Sequence, residues 1–538
     1  MRYTKKHWVE ILVATSGFAF SCWLFWHTFF VQGGNIVMGS KVWSDFGSHI
    51  PLIRSFSLGA NFPNVEFPLF PGEPIRYHYL FYLVVGSLEK IGVRIDIALN
   101  TLSAIGFSAL LYLIYALGKV LFKSRAVGVI SVILFLFNSS LSFLEYFSKG
   151  GTLGGIVGTI DFPSFGPYRE GEIVSAFWNL NIYTNQRHFA LASAVLLGLV
   201  LWIIMGRHNT RRSLVYCALW GIGVGLLPFL HSSIFVTTYA VLGVMFLLFR
   251  EYRKQIFVIL LIGFLVALPR TLFLQHGATF TPELVFGYLS KTQGFNFFEY
   301  WFFNMGASLF LIPVGFIVAP ARAKKVFLAF FALFILGNTI QFSQEMAGNH
   351  KFFNIFLIVG NMFTAYALLR IWKKSYLGKI LLPTLLLALT FSGAIDFFAI
   401  KNDPKYTLVD IPNNRDATWI LENTPKDSVF LNTSYLYHGA NIAGRKVYLG
   451  WPYFAMSLGH DTLGRYEKQK EVLASVDKDY VCGFLKENHV DYVALDDPKE
   501  EIVYDLVYWE DNFVKLYSNP ETSMHIFGRK ESCLDKTY

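Results

Sequence analysis

Long apolar runs follow one another along the first 400 residues of this chain. A transmembrane helix needs about 20 consecutive, mostly apolar residues. Eleven runs of about this length occur, at residues 9–31, 97–118, 126–143, 189–205, 214–230, 232–249, 256–275, 301–318, 326–342, 352–370 and 380–399. The sequence therefore predicts a polytopic α-helical membrane protein with about 11 membrane-spanning helices, and it excludes a soluble globular enzyme.

The charged residues divide the chain into two parts. They make up 15% of the sequence, against about 25% in an ordinary soluble domain. Residues 1–400 hold 30 Lys/Arg and 15 Asp/Glu, whereas residues 401–538 hold 16 and 22. In this tail, helical patterns alternate with short strand patterns such as SVFLN, KVYLG and DYVAL. We therefore predict a membrane module over 1–400 and an α/β domain over 401–538.

The Lys and Arg residues between the apolar runs predict the orientation, because cytoplasmic loops are rich in these cations. The apolar segment 77–93 is short and carries Glu89 and Lys90. If it lies along the outer surface as an interfacial helix, five cationic clusters face the cytoplasm. These are Lys119/Lys123/Arg125, Arg207/Arg211/Arg212, Arg250/Arg253/Lys254, Arg322/Lys324/Lys325 and Arg370/Lys373/Lys374/Lys379. The N-terminus is then cytoplasmic, and the loops 32–96, 144–188 and 276–300 and the tail are extracytoplasmic.

The cations punctuate apolar runs and do not cluster on one solvated face, so we expect contacts with membrane lipids and no nucleic-acid partner. Four cysteines are too few for a disulfide framework. Cys22 and Cys217 lie inside apolar runs, where each is expected to be a small buried hydrophobe. Cys482 and Cys533 could pair if the tail is exported.

The first outer loop contains a candidate general base. On a helix, Asp45 and His49 lie four residues apart and share one face. Partial desolvation beside neighbouring aromatic residues would raise the pKa of the Asp45 carboxyl towards the working range of a general base. We predict Asp45 as catalytic and His49 and Arg54 as substrate-binding residues. An aspartate that caps the start of a surface helix is the alternative interpretation.

Further candidate substrate-binding residues lie where other segments meet the membrane. Tyr77 and His78 begin the interfacial segment, at the level of the lipid headgroups. Arg187 and His188 begin the fourth span, where they could bind a phosphate or extend to the headgroups. His231 ends the fifth span, where a functional and a structural role are both open.

Lys351 lies beside His350 at the outer turn before the tenth span, on the side where the charge rule disfavours a cation. It therefore needs an anionic partner, which could be Glu345, a lipid headgroup or a substrate phosphate. The glycine-rich stretch KGGTLGGIVG lacks the pattern of a phosphate-binding loop and is interpreted as a flexible loop.

Four predicted features occur together in this chain. They are a cytoplasmic N-terminus, a long outer loop with the early Asp45, an apolar segment YHYLFYLVVG after Pro71 and Pro74, and an external α/β tail. This pattern resembles the GT-C superfamily of integral membrane glycosyltransferases. The tail, with NRDATWILENTPKDSVFLN and AGRKVYLG, is similar to that of uncharacterised bacterial members. The resemblance implies a polyprenyl-phosphate sugar donor and a glycan, lipid or protein acceptor.

The resemblance also implies residue roles. The acid of the first loop, here Asp45, acts on the acceptor, and Lys351 with His350 fits the cation that contacts the lipid phosphate. A second acid follows the third span in such enzymes, and four residues compete for that position: Glu145, Asp161, Glu170 and Glu172. None of them lies in a DxD or DxE motif. This departure from the family's pattern weakens the case for a metal. A divalent cation, Mg²⁺ or Mn²⁺, stays a possible cofactor, and its ligands are unknown.

The leading hypothesis is a cell-envelope glycosyltransferase that moves a hexose or pentose from a polyprenyl-phosphate donor to an acceptor on the outer side of the membrane. One alternative is a transporter or lipid flippase, although the sequence shows no matching halves of the kind common in transporters. Another is an envelope assembly scaffold whose tail binds partners.

Overall fold

The computed structural model describes residues 2–164, 173, 178–206, 211–275, 280–343, 346–374, 376–496 and 502–533. Two predicted site residues, Glu170 and Glu172, lie outside this set, as does Glu345. The chain forms two compact units. The helical unit contains Met1–Thr28, Asn100–His276 and Phe280–Pro404, and the mixed unit contains Phe29–Leu99, Gly277–Thr279 and Lys405–Tyr538.

The described part of the chain contains helices and short strands in the following order. The α-helices are α1 (Arg2–Thr28), α2 (Ser40–Ser57), α3 (Leu80–Lys90), α4 (Ile95–Phe122), α5 (Arg125–Leu136), α6 (Phe143–Ser148), α7 (Asn181–Asn185), α8 (Arg187–Met205), α9 (Arg211–Gly225), α10 (Leu227–Leu230), α11 (Ser232–Leu248), α12 (Arg253–Gln275), α13 (Tyr288–Thr292), α14 (Phe297–Met305), α15 (Ser308–Val318), α16 (Ala321–Thr339), α17 (Met346–Lys374), α18 (Tyr376–Lys401), α19 (Arg415–Asn423), α20 (Gly439–Ile442), α21 (Pro452–Ser457), α22 (Thr462–Ala474), α23 (Lys478–Glu487), α24 (Leu506–Asn512) and α25 (Arg529–Ser532). The strands are β1 (Phe29–Gln32), β2 (Asn35–Gly39), β3 (Glu66–Phe67), β4 (Phe70–Pro74), β5 (Glu283–Leu284), β6 (Ile340–Gln341), β7 (Lys405–Leu408), β8 (Val429–Asn432), β9 (Lys446–Val447), β10 (Tyr492–Leu495), β11 (Lys515–Asn519) and β12 (Met524–Gly528).

The predicted apolar runs all overlap helices. Six helices of the described residues are long and apolar enough to cross a membrane, and the bent pair α14 and α15 makes a seventh if it is one span. Shorter apolar helices cover Arg125–Leu136, Leu214–Leu230 and Ser232–Leu248. The polytopic helical architecture is thus confirmed, whereas the count of eleven spans stays a prediction. The apolar segment 77–93 contains helix α3, whose 11 residues extend about 16 Å, short of the roughly 30 Å hydrocarbon core.

Close helix packing in the helical unit depends on small residues. Gly221 and Gly225 lie on one face of α9, and a Cβ at either would come within 2.7 Å of α12 side chains. Such small residues let backbones approach where no hydrophobic effect drives helices together.

The span that begins at Gly348 within α17 is the most buried of the candidate spans, and α17 packs against α5, α15, α16 and α18. This central helix carries His350 and Lys351 in its first turns.

The mixed unit joins the first predicted loop to the tail, a grouping that the sequence did not predict. Strand β2 pairs with β1 and with β7 of the tail, both antiparallel. A five-stranded sheet has the order β11-β12-β10-β8-β9, in which β10, β8 and β9 are parallel. The predicted tail strands SVFLN, KVYLG and DYVAL contain β8, β9 and β10. The sheet-containing C-terminal region is therefore present, and its separation as a domain over 401–538 stays a prediction.

A disulfide bond joins Cys482 of α23 to Cys533, which follows α25, with 5.6 Å between the Cα atoms. The pairing that the sequence left open is thus present. Cys217 is a buried free cysteine and Cys22 is half-buried.

Candidate active site

Asp45 lies in the second turn of α2. The N-cap of this helix is Gly39, and its first turn contains no acid, so the interpretation of Asp45 as a helix cap is wrong. The Asp45 side chain is half-buried, whereas His49, one turn further on, is buried. The shared helical face of Asp45 and His49 is therefore confirmed.

Aromatic rings surround this face of α2. The His49 ring lies 4.7 Å from the Tyr82 ring and 6.5 Å from the Tyr77 ring, between centroids. Tyr437 from the tail donates a hydrogen bond to the Trp43 carbonyl oxygen, and the Tyr437 and Trp43 rings are 4.4 Å apart. We call Asp45, His49, Tyr77, Tyr82 and Tyr437 the acid region.

Both phenols beside Asp45 stay protonated. Burial raises the pKa of Tyr77, and the negative charge of Asp45 raises it further. The same two causes, in the same order, raise the pKa of Tyr437 well above its usual value. A protonated phenol carries no charge, so neither ring adds a second negative charge beside the Asp45 carboxylate.

Arg54 is tied to two acids of the mixed unit. Its Nη2 lies 2.5 Å from Asp410 Oδ2, and its Nε lies 3.3 Å from Glu89 Oε1. Glu89 also accepts a hydrogen bond of 2.6 Å from the Ser57 hydroxyl. Burial raises the pKa of both carboxyls, and the Arg54 charge opposes that shift. These ion pairs connect α2, α3 and the tail, which gives Arg54 a structural role, while its predicted contact with substrate stays a prediction.

Tyr77 and His78 precede α3, and their rings are 3.8 Å apart between centroids. Both are placed at the start of the helix, as the sequence predicted. The His78 side chain is buried. Substrate contacts of either residue stay a prediction.

In the helical unit, Arg187 begins α8 and is fully buried. Its Nε donates to the Thr184 carbonyl oxygen at 2.6 Å, its Nη1 to Asn100 Oδ1 at 3.1 Å and its Nη2 to the Thr28 hydroxyl at 3.0 Å. The guanidinium also lies over the Phe25 ring, 4.5 Å from its centroid. These three partners are neutral oxygens, and they fix the orientation of the guanidinium.

His188, the next residue, lies against His231, with 5.1 Å between ring centroids. Both rings are fully buried. The positive charge of Lys351 acts on His231, which places the ammonium group near this pair, and the Lys351 side chain is half-exposed. We call Arg187, His188, His231 and Lys351 the cation region. The sequence predicted each of these residues, and the fold brings His188, His231 and Lys351 together.

His350 lies in an aromatic environment that the sequence did not predict. Its Nε2 is 3.5 Å from the Tyr300 hydroxyl, and its ring centroid is 5.1 Å from that of Trp178. The Trp178 indole donates to Asn304 Oδ1 at 2.7 Å. No motif marks these residues, because α14 and the loop before α7 meet α17 only in the folded chain.

The predicted Mg²⁺ or Mn²⁺ cofactor stays a prediction, because Glu170 and Glu172 lie outside the described residues. Among the residues described, no three carboxylates converge on one point. Glu145 accepts a hydrogen bond from the Ile173 backbone N–H and pairs with Lys149 at 3.5 Å, and Asp161 is exposed. His188 and His231 are imidazoles, whereas Mg²⁺ and Mn²⁺ prefer oxygen ligands.

Comparison with solved structures identifies the fold. The chain superposes on the Archaeoglobus fulgidus oligosaccharyltransferase tethered with an acceptor peptide, with a TM-score of 0.51 and 14% identity over 98% of this chain and 75% of that chain. The chain has a GT-C fold. The arabinofuranosyltransferase AftD from Mycobacteria has the same GT-C fold, with a TM-score of 0.52 and 14% identity over 96% of this chain and 39% of that chain. No protein-family model and no curated protein sequence matches the chain.

Proposed function

We propose that this GT-C-fold protein is a membrane glycosyltransferase that moves a sugar from a polyprenyl-phosphate donor to a glycan, lipid or protein acceptor on the outer face of the membrane. The observation that carries the proposal is Asp45, a half-buried carboxylate among neutral phenols on a GT-C fold. One neighbour is an oligosaccharyltransferase and another an arabinofuranosyltransferase. Whether the sugar is a hexose or a pentose is part of the test.

In the proposed reaction the acid region acts on the acceptor. Asp45 takes the proton of the attacking hydroxyl, the hydroxyl oxygen forms a bond to the anomeric carbon, and the bond from that carbon to the donor phosphate breaks. General-base catalysis contributes about 10²–10⁴-fold to such reactions. The protonated Tyr77 and Tyr437 stand beside the carboxylate without adding charge.

The cation region acts on the leaving group in this proposal. Positive charge and N–H donors stabilise an oxygen on which negative charge develops. Lys351 supplies a charge that is accessible, and Arg187 supplies one that neutral partners hold in place. A phosphate leaves as an anion, so the cation region does not need to donate a proton. We keep Mg²⁺ or Mn²⁺ as a proposed cofactor, to be tested by adding EDTA.

We also propose about 11 spans, a cytoplasmic N-terminus and an extracytoplasmic tail. The Cys482–Cys533 disulfide supports this orientation, because disulfides persist mainly in oxidising compartments. A membrane-impermeant maleimide, applied to intact cells after mild reduction, should label these two cysteines. Labelling only after the membrane is permeabilised would contradict the orientation.

The decisive experiment incubates the purified protein with a panel of polyprenyl-phosphate hexoses and pentoses together with envelope glycans, lipids and peptides, and detects the released polyprenyl phosphate. Release should occur with at least one donor and should be lost in Asp45→Asn. Asp461→Asn is the matched control, because Asp461 is exposed and its side chain makes no capping hydrogen bond. Movement of an intact lipid-linked sugar across vesicles without release would favour the flippase instead.

A further inference from the structure

The order of strands reverses at the centre of the five-stranded sheet in the mixed unit. β8, β9 and β10 are parallel, and β9 lies on one side of β8 while β10 lies on the other. After β8 the chain therefore moves first to one side of this strand and later to the other. In open α/β sheets, ligands bind at the carboxyl ends of the strands at such a switch point.

The carboxyl ends of β8 and β10 carry a linked polar cluster. Thr433 and Ser434 follow β8, and Asp496 follows β10. The Ser434 hydroxyl donates to Asp496 Oδ2 at 2.6 Å, and the Thr433 hydroxyl donates to Asp496 Oδ1. The half-buried Asp496 keeps a second lone pair on each carboxylate oxygen. Asp496 can therefore accept further hydrogen bonds from a ligand.

Two buried side chains near this cluster have polar atoms without partners among the described residues. His438 is 3% exposed, and its Nδ1 accepts the Ala440 N–H at 3.1 Å. Burial lowers the pKa of His438, against the charges of Asp496 and Asp416, so the neutral ring carries its proton on Nε2. That Nε2 has no partner in the described part of the chain. The charges of both Asp496 and Asp416 act on this ring.

Gln469 of α22 provides an open acceptor. It is fully buried, and its Nε2 donates to the carbonyl oxygen of Asn432, the last residue of β8, at 2.8 Å. Its Oε1 has no partner within the described residues. A buried polar atom without a partner destabilises the folded chain, because it has lost its hydrogen bonds to water. A ligand that hydrogen-bonds to His438 Nε2 and Gln469 Oε1 would remove that cost.

Aromatic rings stand beside these polar groups. The Tyr435 ring lies 6.2 Å from Trp451 and 6.3 Å from Tyr466, between centroids. Trp451 follows β9 and is half-buried, as is Tyr466. Flat apolar faces next to a carboxylate, one neutral donor and one neutral acceptor match a ligand with several hydroxyl groups and apolar ring faces. A sugar ring has this combination.

The loop between these residues leads to Asp45. Leu436 contacts α2 where Gly47 leaves room, since a Cβ there would lie 2.7 Å from Leu436 Cδ2. Tyr437 then donates to the Trp43 carbonyl oxygen of α2. The stretch from Thr433 to His438 therefore connects the switch point to the helix that carries the candidate base.

We propose that the carboxyl edge of β8 and β10 binds a sugar residue of a carbohydrate acceptor, through Asp496, His438, Gln469 and the Trp451 ring. Sugar hydroxyls donate to Asp496 and to Gln469 Oε1, and one hydroxyl oxygen accepts from His438 Nε2. The role of the bound sugar as part of an acceptor rests on the proposed glycosyltransferase function. Sugar binding at this edge does not depend on that function.

The test uses the full-length protein in detergent and measures binding of methyl α-D-mannopyranoside, methyl α-D-glucopyranoside and methyl α-D-arabinofuranoside by saturation-transfer NMR and tryptophan fluorescence. At least one glycoside should bind. Binding should weaken about tenfold or more in Asp496→Asn, because a hydrogen bond to a charged group is lost, and in Trp451→Ala, which provides a second variant if Asp496→Asn does not fold. Asp461→Asn should bind as the wild type does.

The proposal is overturned if no glycoside binds, or if Asp496→Asn and Trp451→Ala bind glycosides with the same affinity as Asp461→Asn. It is also overturned if Mg²⁺ alone gives an Asp496-dependent change while no glycoside does. If glycosides bind in an Asp496-dependent way but no lipid-linked donor is consumed, the sugar site is supported and the proposed transfer reaction fails. If donor is consumed without glycoside binding, the sugar site alone is refuted.

Discussion

The acid region and the cation region handle charge differently, each within its own unit. In the acid region a half-buried carboxylate is surrounded by phenols that burial keeps neutral. In the cation region a fully buried guanidinium is held by neutral oxygens, and Lys351 alone of its four residues is half-exposed. A partly exposed charged side chain can contact a bound substrate, whereas a buried one is held by its partners within the protein. Substitutions of the first kind should change activity with little loss of stability, and substitutions of the second kind should lower stability as well.

The largest effect is expected for Asp45→Asn. Loss of the general base should lower kcat by about 10²–10⁴-fold, with little change in KM for the donor and in the thermal midpoint, because the half-buried amide has the same shape as the carboxyl. Steady-state release of polyprenyl phosphate measures it, with Asp461→Asn as the control. If the thermal midpoint of Asp45→Asn fell together with kcat, Asp45 would have a structural role. The contrast between partly exposed and buried charges would then be lost.

Arg54→Met should destabilise the mixed unit by about 3–5 kcal/mol, because it leaves Asp410 and Glu89 buried without their cation. The pKa of both carboxyls is already raised by burial and should rise further. An acid with a raised pKa in the folded state favours folding below its ordinary pKa and loses that contribution as pH rises through the folded value.

The stability deficit of Arg54→Met should therefore be larger at pH 8 than at pH 5, as measured by denaturant unfolding in detergent. Arg415→Met is the matched control, because the Arg415–Glu521 pair is about 70% exposed on both sides and such pairs contribute about 0–1 kcal/mol. A deficit that is the same at both pH values, or the same in both variants, would contradict the buried ion pair as the source of stability.

Lys351→Ala should lower kcat by about 10–100-fold, because stabilisation of a developing negative charge by one group is worth up to a few kcal/mol. Lys351→Arg should keep much of the activity, since the charge remains. The exposed Lys291 of the same unit provides the control Lys291→Ala. Release of polyprenyl phosphate is measured for the wild type, Lys351→Ala, Lys351→Arg and Lys291→Ala. Full activity in Lys351→Ala would remove Lys351 from the proposed phosphate site.

Tyr437→Phe should have the smallest effect, about 1 kcal/mol of stability, from the loss of one hydrogen bond to the Trp43 carbonyl. A small fall in kcat is expected as well, because this hydrogen bond holds the first turn of α2, the helix that carries Asp45. The comparison with Tyr406→Phe, a tyrosine of the same unit that is 50% exposed, separates the two effects. A loss as large as that of Asp45→Asn would mean that Tyr437 itself takes part in proton transfer.

The sequence predicted local features well. The apolar runs mark the helices because a bilayer admits only segments that satisfy their own backbone hydrogen bonds. Asp45 and His49 share a helical face as their spacing predicts, and the tail strands SVFLN, KVYLG and DYVAL form β8, β9 and β10. These features depend on neighbours within a few residues, which the sequence shows directly.

The sequence did not predict contacts between distant segments. Tyr437 lies beside α2, and Asp410 pairs with Arg54, because the first loop and the tail form one compact unit. Trp178 and Tyr300 lie beside His350 without any motif to mark them. Helix packing and strand pairing decide such contacts, and no local pattern records which distant segment will be adjacent.

By itself, the sequence determined that this protein is a helical membrane protein with a charged α/β tail. Apolar segments favour lipid and charged segments favour water, and both properties can be read from the residues of each segment. It also placed an acid and several cations where loops meet the membrane. Only the tertiary structure decided the environments of those groups. Folding buried the phenols beside Asp45, which raises their pKa. It also enclosed Arg187 among oxygens of Thr184, Asn100 and Thr28 and brought Thr433, Ser434 and Asp496 to one sheet edge. The physical reason is that desolvation depends on every segment that packs around a group, and most of those segments are far away in the chain.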